Sequence, residues 1–441
     1  MTEGECFVRQ EKEPKWLAHI RWRRYLREWK VFFLQQSSAF AKWFVFSCII
    51  GVTVGVAGAV FHHAVELVTE LRQAYDFLLW TLPLAGAAIV FLYTACGMER
   101  DRGTNFVLIA VRENEPMRLL TAPLIFLSTV LSHLAGASTG REGAALQLGG
   151  AISCKIGRMM HLDEKDARVV TMCGMAAGFS ALFGTPLAAA VFAMEVVSVG
   201  VMYYAAIFPC VFGALLAHLV AQALGSTAPS YVLPLVPALD LPTLLRVVAL
   251  GCLCALLAII FCWALKATAK LYIKYFNSPY IRIVVGGTLV LAVSLLSGTR
   301  DYNGAGMDII AHAMQGNARP EAFAMKMLLT ALTLGAGYKG GEIVPVFFVG
   351  ATFGCSYGAL LGLPAPLAAG LGMVAAFCGV TNCPLTSILL AYELFGGAGL
   401  PLFALVCAVS YMLSGYSGLY SEQKIMYSKL RPQYIDRKTR H

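Results

Sequence analysis

Charge is what this chain has least of: Asp, Glu, Lys and Arg make up 13% of its 441 residues, against 58% hydrophobic residues. A water-soluble domain carries about 25% charged residues, so the composition excludes an ordinary soluble enzyme or binding module. Short segments of alternating polarity are also missing, which excludes a membrane β-barrel. The thirteen cysteines, among them Cys48, Cys173, Cys252 and Cys378, show no metal-ligand spacing, and their odd number argues against a closed disulfide framework. They read as small buried apolar residues. No cleavable signal is expected, because the first 42 residues are polar and the first apolar run is too long for one. No soluble domain is expected after the membrane region either, since about 27 residues follow the last apolar run.

Long apolar runs are what the chain does have: 43–60, 78–97, 119–137, 201–224, 244–265, 282–297 and 384–414. Several exceed the roughly 20 residues that span hydrocarbon. Every backbone amide there needs a partner within its own segment, so the expected class is an all-α integral membrane protein. The net charge of +9 is placed at the ends. "KWLAHIRWRRYLREWK" at 15–30 reads as an interfacial amphipathic helix in preference to a nucleic-acid-binding stretch, and the tail from Lys424 to His441 is basic as well. The positive-inside rule puts both termini in the cytoplasm and requires an even number of crossings. The resulting plan is a basic segment over 1–40, a first membrane half over 41–225, a second over 240–423 and a basic tail over 424–441.

Three blocks occur twice, in the same order, about 200 residues apart. "GTNFVLIA" at 103–110 is answered by "GAGMDIIA" at 304–311, and "GREGAALQLGGA" at 140–151 by "GGEIVPVFFVGA" at 340–351. "AAGFSALFGTPLAAAVFAMEV" at 176–196 is answered by "AAFCGVTNCPLTSILLAYEL" at 375–394, which aligns Pro186 with Pro384 and Glu195 with Glu393. Three ordered matches indicate a duplication. Paired repeats with Gly- or Pro-broken helices mark transporters whose site lies where the repeats meet.

The breaks fall at Gly103, Gly140, Gly143, Gly304, Gly340 and Gly341, each just before an apolar helix. A helix that begins inside the membrane points free N–H groups and a partial positive charge at whatever lies there. Several such ends meeting at mid-membrane would hold a small anion without a formal positive charge. Glu142, at one of these ends, is either a simple cap or a carboxylate that occupies the anion site until it is protonated, acting as both gate and proton carrier. Glu342 sits at the matching break and has the same two readings. Lys339 either adds positive charge near the pore or snorkels to the interface. Tyr420 could offer its hydroxyl to the anion or lie at the interface. Glu195 and Glu393, after their Pro-Leu turns, fit structural roles better than transport roles.

"GASTG" at 136–140 matches the G-x-S-x-G nucleophile pattern of serine hydrolases. A hydrolase also needs a base. His133 is five residues from Ser138 and off its helix face, while His312 and His441 are poorly placed. An intramembrane hydrolase is therefore only a minor alternative, and no catalytic residue, metal or cofactor is expected.

"GREGAALQLGG", "GTPLAAAVFAMEV" and "GGEIVPVFFVGATFG" together resemble the signature segments of the CLC family of chloride channels and transporters, over roughly residues 40 to 425. The resemblance implies two inverted helical repeats with broken helices meeting at mid-membrane, and a homodimer with a separate anion pathway in each subunit. It further implies a multi-pass protein of the plasma membrane. Glu142 matches the gating glutamate and Tyr420 the tyrosine that closes the inner side of the central anion site.

The details resemble the fluoride/proton antiporter branch of that family. Gly103-Thr104-Asn105-Phe106-Val107 stands where chloride transporters have G-S-G-I-P, Val196 replaces an internal proton glutamate, and "KGGEIVP" runs from Lys339 to Pro345. The resemblance thereby assigns Gly103, Thr104, Asn105, Phe106, Ile343, Val344 and Tyr420 to anion binding, with Glu342 and Lys339 along the proton or anion pathway. Thr104, in place of a methionine or asparagine, and Val344, in place of a threonine, depart from the branch. The expected function is export of fluoride in exchange for protons. A chloride/proton antiporter or chloride channel of the same fold is the alternative. Fluoride is small, basic and strongly hydrated, which suits a site with added hydrogen-bonding groups.

Overall fold

The structure is a computed structural model that describes residues 15–99, 101–113 and 115–439. The chain divides into one unit ending at Phe46 and a second running from Ser47 to His441. Helix α1, Lys15–Ala74, runs through that division. The basic aromatic stretch 15–30 forms its first turns, although the side chains of 15–24 and of Leu26 lie outside the described residues, as does His441.

Sixteen α-helices are described, and they fall into two sets of eight. After α1 the first set continues with α2 (Leu82–Ala95), α3 (Thr104–Glu113), α4 (Thr121–Leu134) and α5 (Glu142–Met159). It ends with α6 (Glu164–Phe183), α7 (Pro186–Glu195) and α8 (Ile207–Ala223). The second set opens with α9 (Leu241–Tyr275), α10 (Pro279–Leu296), α11 (Met307–Met314) and α12 (Ala322–Ala336). It closes with α13 (Ile343–Leu360), α14 (Ala365–Thr381), α15 (Pro384–Phe395) and α16 (Leu400–Leu413). Six helices among the described residues are long and apolar enough to cross a membrane. The others are mostly shorter apolar helices of 10–17 residues.

The run 384–414 is not the single span its hydropathy suggests. It folds as α15 and α16, broken where Gly396 and Gly399 take φ of +75° and +76°, a conformation that costs glycine little and other residues much. A second correction concerns the tail, which adds a small sheet to an otherwise helical fold. Strands β1 (Ser198–Val199), β2 (Lys424–Tyr427) and β3 (Tyr434–Lys438) lie in that order. The first pair is parallel and the second antiparallel.

Large apolar side chains face outward: Leu84, Phe91, Leu219, Leu256, Trp263 and Leu296 are all exposed, as lipid solvent allows. Small residues let the central helices approach closely. A Cβ on Gly149 of α5 would stand 2.0 Å from the Gly174 carbonyl of α6, and one on Gly354 of α13 would stand 2.1 Å from the Ala368 carbonyl of α14. Both repeats thus pack their central helix pair backbone to backbone, which is how helices associate where hydrophobicity gives no driving force. All twelve described cysteines are free thiols, and eight are buried in these packed regions.

The two repeats also cap each other. Glu195, near the end of α7, accepts the N–H groups of Leu385 (3.2 Å) and Thr386 (2.9 Å) and the Thr386 hydroxyl (2.6 Å) at the start of α15. Glu393, near the end of α15, accepts those of Leu187 (2.8 Å) and Ala188 (2.9 Å) at the start of α7. The exchange sets α7 and α15 antiparallel, as an inverted pair of repeats requires. Each carboxylate satisfies orphan N–H groups at a helix N-terminus and complements its dipole. Removing Glu195 leaves three donors unpaired and removing Glu393 leaves two, at about 1–3 kcal/mol for each one buried. Glu195→Ala is therefore expected to lower the thermal midpoint in detergent, and more than Glu393→Ala, because Glu195 is the more deeply buried. Unchanged midpoints would refute the reciprocal capping.

Candidate functional site

The loops that launch α5 and α13 are paired directly. Gly140 N–H donates to the Gly341 carbonyl at 2.7 Å and Gly341 N–H donates back to the Gly140 carbonyl at 2.8 Å. The Thr139 hydroxyl adds a third bond to the Gly341 carbonyl at 3.1 Å. This bridge brings two helix N-termini, one from each repeat, side by side in a buried interior. Their spacing requires glycine: a Cβ on Gly341 would lie 2.5 Å from Gly143 N and 3.1 Å from Glu142 N.

Glu142, 1% exposed, folds its carboxylate back over both ends. Oε2 accepts the Arg141 N–H at 3.1 Å, and the carboxylate also meets the N–H of Val344 in the first turn of α13. The Arg141 Nε stands 3.8 Å from Oε1. The side chain thus lies where the helix ends would place an anion. An anion bound at these helix ends would have to displace this carboxylate from the N–H groups.

Three more polar groups face this point. Thr104, the first residue of α3, holds its hydroxyl 3.1 Å from the Cβ position of Gly143, and Glu342 Oε2 lies 3.4 Å from the same position. Glu342 Oε2 is buried with no hydrogen-bond partner. The Tyr420 hydroxyl is also buried and unpartnered, within electrostatic reach of Glu342 and Glu142. Unpaired polar atoms in such an interior are costly, and a transported ion or proton would satisfy them. Gln147 completes the set by donating to the Thr104 hydroxyl at 3.3 Å and to the Gly143 carbonyl at 3.3 Å. It was not among the expected site residues, though it is the one polar side chain in the run from Ala144 to Ala151.

The remaining expected residues lie at varied distances from this centre. Gly103 forms the turn before α3 with φ of +58°, and Ile343 is the buried first residue of α13. Val344, in the first turn of α13, lies beside Glu142: the Cβ position of Gly140 stands 3.1 Å from Val344 Cβ and 2.8 Å from Glu142 Oε2. Asn105 uses its carbonyl oxygen to hold the Glu422 N–H at 3.1 Å, anchoring the segment after Tyr420. Phe106 lines a cavity of about 310 Å³ together with Asp101, Arg102, Glu115 and Arg118. Lys339 is pinned by Asp101 at 2.6 Å and lies 4.2 Å over the Tyr93 ring. Its charge is balanced there, so it adds little net positive potential. The Val196 carbonyl accepts Gln423 Nε2 at 3.0 Å.

Ser138 and His133 are not brought together. The Ser138 hydroxyl donates to the Tyr302 carbonyl at 2.9 Å and lies 3.1 Å from the Thr330 hydroxyl. His133 Nε2 is directed at the Gly140 carbonyl, 3.3 Å away. Ser138 is a structural residue of the loop that carries the gate.

Two inverted sets of eight helices, with broken helices ending on a buried seam of N–H groups, define a membrane transport protein with a site for a small anion. The model of the voltage gated chloride channel family matches residues 85–415, and the chain belongs to this family. It is 38% identical over 401 residues to a chloride/fluoride channel protein of Pseudomonas syringae pv. tomato, covering 88% of each chain. Its fold is similar to the crystal structure of a CLC-type fluoride/proton antiporter, with a TM-score of 0.85 and 31% identity over 88% of this chain and 98% of that one. It is 24% identical to the H(+)/Cl(-) exchange transporter ClcA of Vibrio cholerae, over 88% of this chain and 92% of the other.

Proposed function

We propose that this protein exports fluoride across the plasma membrane in exchange for protons, with Glu142 serving as both gate and proton carrier. The observation that carries this reading is the seat of the Glu142 carboxylate at the paired N-termini of α5 and α13, beside a second buried carboxyl, Glu342, and the hydroxyls of Thr104 and Tyr420. Protonation removes the charge that binds Glu142 to the helix ends, and an anion then takes its place. Fluoride is basic enough to share protons with such groups and small enough for their spacing. The names of the Pseudomonas relative and of the structurally similar antiporter support fluoride as the substrate. The chain acts as a transporter, not an enzyme, and works as a homodimer with one pathway per subunit. Its membrane halves span 41–225 and 240–423, between cytoplasmic ends at 1–40 and 424–441.

Exchange with protons lets both the pH gradient and the membrane potential drive fluoride outward, each elementary charge crossing 100 mV being worth about 2.3 kcal/mol. In proteoliposomes clamped at zero potential, with equal fluoride on both sides, an acidic exterior should drive fluoride out against its developing gradient. Fluoride that ignores the pH gradient would contradict the exchange. With Val196 where an acidic proton carrier would stand, the proton route to Glu142 runs through Glu342. Glu342→Gln is expected to slow proton movement by roughly tenfold or more, and a normal proton rate in that protein would rule this route out. Chloride exchange is the second reading, favoured by the Vibrio relative and by Thr104 and Val344 at the positions that depart from the fluoride pattern.

A further inference from the structure

Helix α1 carries a second polar cluster that the anion site does not use. His62, His63 and Glu66 each place one ligand atom within 4.8 Å of the other two, the one such group of His, Cys, Asp and Glu among the described residues. Glu66 Oε2 lies 3.6 Å from His62 Nε2 and 3.6 Å from His63 Nδ1.

His63 Nε2 is 2.9 Å from the Leu224 carbonyl, which can only accept, so Nε2 carries the proton. In the neutral ring Nδ1 is then a bare lone pair, and it faces a carboxylate oxygen that is also an acceptor. His62 is 4% exposed, and neither ring nitrogen has a hydrogen-bond partner. Three electron-pair donors therefore lie within 4.8 Å of one another, close enough for one cation to bridge them. The distances discriminate between a proton and a metal. A charge-assisted N–H···O bond closes to about 2.7–2.9 Å. Ligand atoms bound about 2.0–2.1 Å from a tetrahedral zinc stand roughly 3.3–3.5 Å apart. The two 3.6 Å separations from Glu66 are close to those of the metal shell and too long for the hydrogen bond, while the two histidine atoms, within 4.8 Å of each other, have only to close up around the ion. The Leu224 carbonyl is the kind of outer partner that fixes the tautomer and orientation of a metal-binding histidine. The His63 and Glu66 side chains are 46% and 50% exposed, which gives an entry path and room for a water.

We propose that His62, His63 and Glu66 form a binding site for a divalent transition metal of the zinc type, with water as the fourth ligand. The site is linked to the gate. Arg141 is within electrostatic reach of both His62 and Glu66, and its Nε lies 3.8 Å from Glu142 Oε1. A dication that claims Glu66 leaves Arg141 to Glu142 alone, which holds the carboxylate on the helix ends and slows transport. That consequence rests on the gating role proposed above, whereas the metal site does not.

The full chain, with any purification tag removed, is titrated in detergent with Co(2+) and followed by its visible absorption. The expected result is one tetrahedral Co(2+) per chain, displaced by Zn(2+), without a sulfur charge-transfer band. His63→Ala and Glu66→Gln should each weaken it by about 100-fold or more, beyond what loss of an outer-shell partner costs. Both positions are about half exposed, so these variants keep the fold. Absence of saturable binding, a sulfur band from the cysteines, or unchanged affinity in both variants overturns the site. Zinc on both faces of proteoliposomes should slow anion efflux by the unmodified protein and leave the His63→Ala protein unaffected. Binding without any effect on efflux would keep the metal site and overturn its link to Glu142.

Discussion

Glu142→Ala protein is expected to move no protons: in fluoride-loaded proteoliposomes its proton uptake should fall by at least ~100-fold, to the level of vesicles without protein, as loss of an acid–base group demands. The side chain accepts the Arg141 N–H of the first repeat and faces the Val344 N–H of the second. Alanine removes the titrating group and the competitor for the anion at once. The two halves of the account are thereby separated: proton movement is lost while the helix ends remain able to hold an anion. Glu142→Gln isolates the competition further, since it keeps the volume and removes the charge. Persisting proton movement in either protein would remove Glu142 from the proton path.

Gly341→Ala gives the second large effect, through geometry alone. The added methyl would meet Gly143 N at 2.5 Å and Glu142 N at 3.1 Å, both of them backbone atoms that cannot swing aside. To admit it, the Gly140–Gly341 bridge must open and the N-termini of α5 and α13 must separate. A misplacement of about 1 Å in such a site is worth roughly 100-fold in rate. Anion transport should fall by that order while the protein stays folded in detergent. Gly397→Ala is the control: its nearest neighbour is Tyr392 Cε2 at 4.0 Å and its φ is not in the left-handed region, so transport should be unchanged.

What the sequence made legible follows from which interactions are local. The breaks before α5 and α13 announce themselves through Gly140, Gly143, Gly340 and Gly341, and the repeat relation through Pro186 and Pro384, each the first residue of its helix. The roles of Glu195 and Glu393 were readable as structural from their position after those turns. Their partners were not, because each bond joins residues about 190–206 positions apart. The same distance problem hid the Lys339–Asp101 pair and the Asn105–Glu422 bond, which turn two residues with pore-like chemistry toward scaffolding. The small sheet was invisible for another reason. Ser198–Val199 is too short to show alternation, and it pairs with the tail at Lys424–Ile425 across most of the second repeat. The cluster of His62, His63 and Glu66 carries no sequence pattern of its own, because the carbonyl that orients His63 belongs to Leu224, 161 positions away.

The central claim is that this site selects fluoride and exchanges it for protons, and one assay addresses it directly. Proteoliposomes holding the protein are loaded in parallel with fluoride or chloride, and efflux is read by ion-selective electrodes while external pH is recorded. The account predicts fast fluoride efflux, slow chloride efflux, and proton uptake that accompanies fluoride and vanishes with Glu142→Ala. Chloride efflux as fast as that of fluoride would contradict it. Thr104 and Val344 would then mark a site for chloride on the same fold, with Glu142 still at its gate.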